Sequence, residues 1–115
     1  MGNGGDNQSP DQTFTIFVTP TDILINEVNC NPTDEEFVEL YNSSSSSVSL
    51  NGLVVVFFNG GAANNSSYKT AIDLDGQTIA AGAYLVIGDA GVANQDLGWS
   101  ATNIQDGPDA AALFV

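Results

Sequence analysis

Nowhere in this chain do apolar residues recur at a sustained helical spacing, and that absence removes the helical folds from consideration. The apolar residues instead come in short runs rich in Val, Ile, Phe and Tyr, separated by Gly, Pro, Asn and Asp. Such runs suit a pleated, half-buried surface, and the residues between them suit turns, so a nearly all-β chain is expected. The candidate strands are Thr13 to Val18, Ile23 to Val28, Glu36 to Tyr41, Val48 to Leu50, Leu53 to Phe58, Tyr68 to Leu74, Gln77 to Ile79, Tyr84 to Gly88 and Ala110 to Val115. Turn signals fall between them at Asn31-Pro32-Thr33-Asp34, Asn51-Gly52 and Asp75-Gly76. The second and third strands should pair as a hairpin. The serine run Ser43 to Ser47 reads as a loop of little consequence. Leu53 to Phe58 is continuously apolar, as expected of a central strand covered on both faces. A long irregular stretch from Asp89 to Asp109 carries Trp99. Many short strands with irregular connections point to a β-sandwich, with a closed barrel as the alternative.

A chain of 115 residues fits one domain and can enclose one sandwich core without disulfides or metal. Residues 1–12 are polar and glycine-rich, offer nothing to bury, and read as a flexible leader to a folded part at 13–115. This leader has neither the basic start nor the apolar centre of a signal peptide. No apolar run approaches the ~20 residues of a spanning helix, so no membrane span is expected. Fourteen Asp and Glu stand against one basic residue, Lys69, with no Arg and no His, for a formal net charge of -13. Nucleic acid and anionic lipid would be repelled, because binding a phosphate backbone relies on Lys and Arg displacing counterions. A cationic partner or calcium would be attracted, although the same charge also serves simply to keep a protein soluble. Cys30 is the only cysteine, so neither an internal disulfide nor a thiolate metal cage can form.

Several segments, in order and spacing, resemble the lamin tail domain family. They are Ile23-Leu24-Ile25-Asn26-Glu27-Val28, Glu36-Phe37-Val38-Glu39-Leu40-Tyr41-Asn42, Val48-Ser49-Leu50-Asn51-Gly52-Leu53, Ile79 to Gly88, the Trp99 segment, and Ile104 to Leu113. The stretch Phe57-Phe58-Asn59-Gly60 through Tyr68 and Asp73-Leu74-Asp75-Gly76 is more similar to members found in secreted proteins than to nuclear lamins. The resemblance implies an immunoglobulin-like β-sandwich without enzymatic activity, serving as an accessory or structural protein-interaction module of an extracellular or surface protein. The basic residues of nuclear lamins are missing, so DNA binding does not carry over. Family members usually continue into one more strand beyond the position of Val115. An edge left unpaired near Ala110 to Val115 would invite strand exchange or dimerisation.

The chemistry left to such a chain is narrow. With no His there is no usual general base for a serine or for Cys30, so no catalytic residue is assigned. A glycosidase-like pair of Glu27 and Glu39, brought together across the hairpin, is the weakest of the readings. Strand alternation puts Phe37, Glu39 and Tyr41 on one face and Val38 and Leu40 on the other, leaving Glu39 between two aromatics. A carboxylate there needs water or hydrogen-bond donors, and Asn26 and Asn42 are the helpers the resemblance suggests. Asn26, Glu27, Glu39 and Asn42 are therefore expected to be structural polar residues. Calcium is the one cofactor to weigh, through Asp34, Glu35 and Glu36 in one loop and Asp73 and Asp75 in another, though neither set is a complete site; a calcium-dependent structural module in an acidic matrix is the alternative function. Trp99, Phe57, Phe58, Tyr68 and Tyr84 read as core aromatics rather than as the lining of a ligand groove.

Overall fold

Alternation makes the run from Phe37 to Asn42 a two-faced strand: Val38, Leu40 and Asn42 are buried, while Phe37, Glu39 and Tyr41 are half-buried on the opposite face. The computed structural model describes residues 22–30, 35–61, 71–99, 104 and 109–115. Within them lie β1 (Ile23–Asn29), β2 (Phe37–Asn42), β3 (Val48–Ser49), β4 (Val54–Asn59), β5 (Ile72–Asp73), β6 (Thr78–Ile79), β7 (Tyr84–Gly88), β8 (Leu97–Gly98) and β9 (Asp109–Phe114), with no helix among the described residues. The expected leader, the strand Thr13 to Val18, the turn Asn31 to Asp34, Tyr68 and Lys69 lie outside them.

The strands form a four-stranded sheet ordered β1-β2-β7-β8, a three-stranded sheet ordered β5-β4-β9, and the short pair β3-β6. β1 and β2 form the expected antiparallel hairpin, β2 pairs antiparallel with β7, and β4 pairs with β9 along its length. The inward faces meet in one core. Ile23, Val38, Leu40, Leu85 and Ile87 of the larger sheet pack with Val55 and Phe57 of β4, with Leu50, Leu53, Leu74 and Ile79 closing the gap between sheets. Burying each such side chain contributes about 1.5–3 kcal/mol, which makes this layer the main source of stability.

Three expectations need correction. β4 is central within its sheet, but only Val55 and Phe57 are buried; Val54, Val56 and Phe58 are half-buried, with Phe58 meeting Phe114 at 6.0 Å between ring centroids. The strand is thus two-faced despite its unbroken apolar sequence, because no second layer covers its outer side among the described residues. The irregular stretch after β7 contains β8, paired parallel to β7. The serine loop is also less indifferent than its composition suggests. The Ser44 backbone N–H and hydroxyl both donate to Asn42 Oδ1, at 2.9 and 2.7 Å.

The turns at Asn51-Gly52 and Asp75-Gly76 form, but not as hairpin loops. Leu53 N–H donates to Leu50 O at 2.9 Å and Gln77 N–H to Leu74 O at 3.1 Å. Gly52 and Gly76 each have a φ of 81°, whereas Asn51 and Asp75 are not in the positive region, so both are type II turns. The two lie against each other, with Leu50 N–H donating to Gln77 O and Leu74 N–H to Leu53 O, both at 3.0 Å. Each turn leads the chain from one sheet into another.

Candidate functional site

The outer face of the four-stranded sheet is built by the residues that alternation turns away from the core. Register sets Phe37 opposite Gly88, Glu39 opposite Val86 and Tyr41 opposite Tyr84. The two tyrosine rings meet with centroids 4.8 Å apart, and Tyr84 is still 53% exposed. On the other side of β2 a bulge between Ile25 and Glu27 leaves Asn26 as the extra residue, so Asn26 and Glu27 together oppose Glu39. Asn26 Nδ2 donates to Glu39 Oε1 at 2.7 Å, partnering the carboxylate that lies between two aromatics. The bulge thus sets an amide, rather than Glu27 alone, against the Glu39 charge, where two opposed carboxylates would repel.

The β7–β8 connection raises a rim along this face. Asp96 grips β7 at both backbone groups of one residue: its N–H donates to Val86 O at 2.9 Å and its Oδ2 accepts the Val86 N–H at 2.8 Å. Gln95 Nε2 donates to Gly88 O at 2.7 Å, and Asn94 adopts a positive φ of 59°. Trp99 anchors the far end. Its Nε1–H donates to Asp89 Oδ1 at 2.6 Å, while its ring meets Phe57 edge-on at 5.6 Å, so the polar tip is partnered and the apolar body joins the core. Between rim and sheet runs an open groove of about 810 Å³, lined by Glu35, Glu39 and Asp96 together with Phe37, Tyr84 and Val92.

The other expected site residues go elsewhere. Asn42 is not a helper of Glu39. It points into the core, where Nδ2 donates to Ser46 O, Ile79 O and Ala80 O at 2.8, 2.9 and 3.1 Å. Glu36 parts from its neighbour Glu35: it is 2% exposed and its Oε2 accepts the Ile104 backbone N–H at 2.7 Å, while Glu35 faces the groove. Asp73 Oδ1 accepts the Asp75 N–H at 2.9 Å and Asp75 Oδ1 accepts the Gly52 N–H at 2.6 Å, so both fasten turns. Asp34 lies outside the described residues, and among those described no three Asp, Glu or Cys groups come together to hold a metal ion. Cys30 is half-buried against the core with a free thiol.

Of the aromatics expected in the core, Phe57 is buried and Trp99 packs against it, whereas Tyr84 and Phe58 face outward. Asp89 and Asp96, which build the rim, gave no sequence signal, since their partners are backbone groups and an indole that only the fold brings near. No curated protein matches the chain. The lamin tail domain family matches residues 18–115, in agreement with an all-β sandwich whose sheets enclose one core. The chain belongs to the lamin tail domain family, a family of non-enzymatic immunoglobulin-like domains with structural and protein-interaction roles.

Proposed function

We propose that this chain is a non-catalytic protein-interaction module of an extracellular or surface protein, and that it meets its partner on the outer face of the four-stranded sheet. The observation that supports this most is the exposed Tyr84, its ring packed at a tilt against Tyr41, in a groove bordered by Glu35, Glu39 and Asp96. Large amphipathic rings supply contact area at low entropic cost, and the solvent-accessible carboxylates beside them favour a partner that presents Lys or Arg. The net charge of -13 steers the same kind of partner inward and turns nucleic acid and anionic membranes away. The extracellular placement rests on the similarity of the segment from Phe57 to Gly76 to secreted members of the family.

The test is an NMR titration of the domain with a Lys/Arg-rich peptide and with an acidic peptide of equal length, at matched ionic strength. Amide shifts should concentrate at Phe37, Glu39, Tyr84, Val86 and Asp96 with the basic peptide alone, and Tyr84→Ala should weaken them in a folded domain. Shifts spread evenly over the surface would reduce the effect to bulk charge and sink the proposal. Loss of a hydrolytic turnover in a folded Glu39→Gln variant would sink its non-catalytic part.

A further inference from the structure

Two Asn-Gly dipeptides lie among the described residues, Asn51-Gly52 and Asn59-Gly60, and both are held in the same way by an aspartate from a distant strand or turn. Gly52 N–H donates to Asp75 Oδ1 at 2.6 Å, and Gly60 N–H donates to Asp109 Oδ1 at 3.2 Å. The asparagine side chains are pinned as well. Asn51 Oδ1 accepts the Gly76 N–H at 2.7 Å across the paired turns, and Asn59 Oδ1 accepts the Gly61 N–H at 2.9 Å.

We propose that Asn51 and Asn59 are deamidation sites kept closed by Asp75 and Asp109. Asn-Gly is the sequence most prone to this reaction, because glycine has no side chain to hinder its own nitrogen. In the reaction the glycine nitrogen loses its proton and attacks the asparagine Cγ. The Cγ–Nδ2 bond breaks, ammonia leaves, and a cyclic imide remains. Water then adds to either imide carbonyl, giving aspartate or isoaspartate, with no oxidant or reductant required.

Each aspartate opposes the first step twice. Its hydrogen bond occupies the N–H that must be lost, and its negative charge disfavours the anionic nitrogen that forms as the proton leaves. The bond at Asn51 Oδ1 draws the side chain toward Gly76 and away from the position over Gly52 that ring closure needs. At residue 51 the isoaspartate product would add a methylene to the main chain inside a type II turn, opening the Leu50-to-Leu53 bond at the crossing between sheets. The clasp therefore protects the covalent integrity of its own turn.

The full chain is aged in warm neutral buffer, with and without unfolding concentrations of urea, and aspartate and isoaspartate at 51 and 59 are followed by peptide mapping. Both sites should react about tenfold or more slowly when folded, a barrier difference of about 1.4 kcal/mol. Asp75→Ala should accelerate Asn51 and leave Asn59 unchanged, and Asp109→Ala should do the converse, with circular dichroism confirming the fold. If Asp75→Ala does not fold, Asp75→Ser, which keeps an acceptor oxygen without its charge and makes no new Asn-Gly pair, must show the same selectivity for Asn51. Equal rates in folded and unfolded chain overturn the proposal. So does an aspartate variant that speeds both sites alike, or one that slows its own site, which would mark the carboxylate as a general base instead of a guard.

Discussion

Every polar atom of the Asn42 amide has a partner, and all of those partners are backbone groups or the Ser44 hydroxyl. One side chain thereby ties the serine loop after β2 to the turn after β6. Removing it leaves several carbonyls and an N–H without their partner, the buried Ile79 O among them, so Asn42→Ala should cost on the order of 3 kcal/mol, read as a lower urea midpoint at unchanged slope. Asn26, on the exposed face, makes its bond in contact with solvent, and Asn26→Ala should cost under about 1 kcal/mol. Similar losses for the two would defeat the burial argument. The misplacement of Asn42 beside Glu39 was avoidable from the sequence, because positions 39 and 42 have opposite parity and a strand must send them to opposite faces. The pairing of Asn26 with Glu39 was anticipated, whereas the bulge that aims it was not, since an extra residue in one strand shows only against its partner.

At the scale of elements, the four-stranded sheet depends on how closely β2 and the rim approach β7. A Cβ placed on Gly88 would come within 2.8 Å of Glu36 O and 2.9 Å of both Phe37 Cβ and Val92 Cγ2. Two of these neighbours cannot swing aside, so Gly88→Ala should destabilise the domain by about 1–3 kcal/mol through overpacking. Thermal or denaturant unfolding would show this; a neutral result would mean that β7 and the rim shift as easily as loops do. β7 itself was legible, because Tyr84 to Gly88 is bounded by turn signals and rich in strand formers. β8 was not, because two residues carry no period and its pairing is made by Asp96, Gln95 and Trp99 gripping β7. The groove is not legible in the sequence for the same reason. Its sheet half follows from alternation, but its rim follows from contacts between segments.

For the whole molecule, charge is the property that acts at longest range. With a net charge of -13 the folded chain repels itself, so salt should raise the melting temperature, most steeply up to about 0.1 M, where screening shortens to about 10 Å. Calcium at matched ionic strength should add nothing further over EDTA, since Asp73 and Asp75 already serve turns and Glu36 serves the core. A distinct calcium shift would restore the ion-dependent alternative. The fold class was legible because the short apolar runs alternate with turn residues, whereas the division into sheets was not, since the turns at Asn51-Gly52 and Asp75-Gly76 mimic hairpins while carrying the chain from one sheet into another.

The same view bears on assembly. Of the longer strands at sheet edges among the described residues, β1 is interrupted by its bulge at Asn26 and carries the Glu27 charge, both of which spoil a regular ladder. β9 has no such interruption and ends in Phe114, 45% exposed, with Val115 after it 58% exposed. A molecule with two open edges can be extended at both and grows into a fibre; one with a single open edge cannot. Among the described residues β9 is the one long edge left regular, so pairing through it would use up that growth point in each copy, and the assembly would end at two.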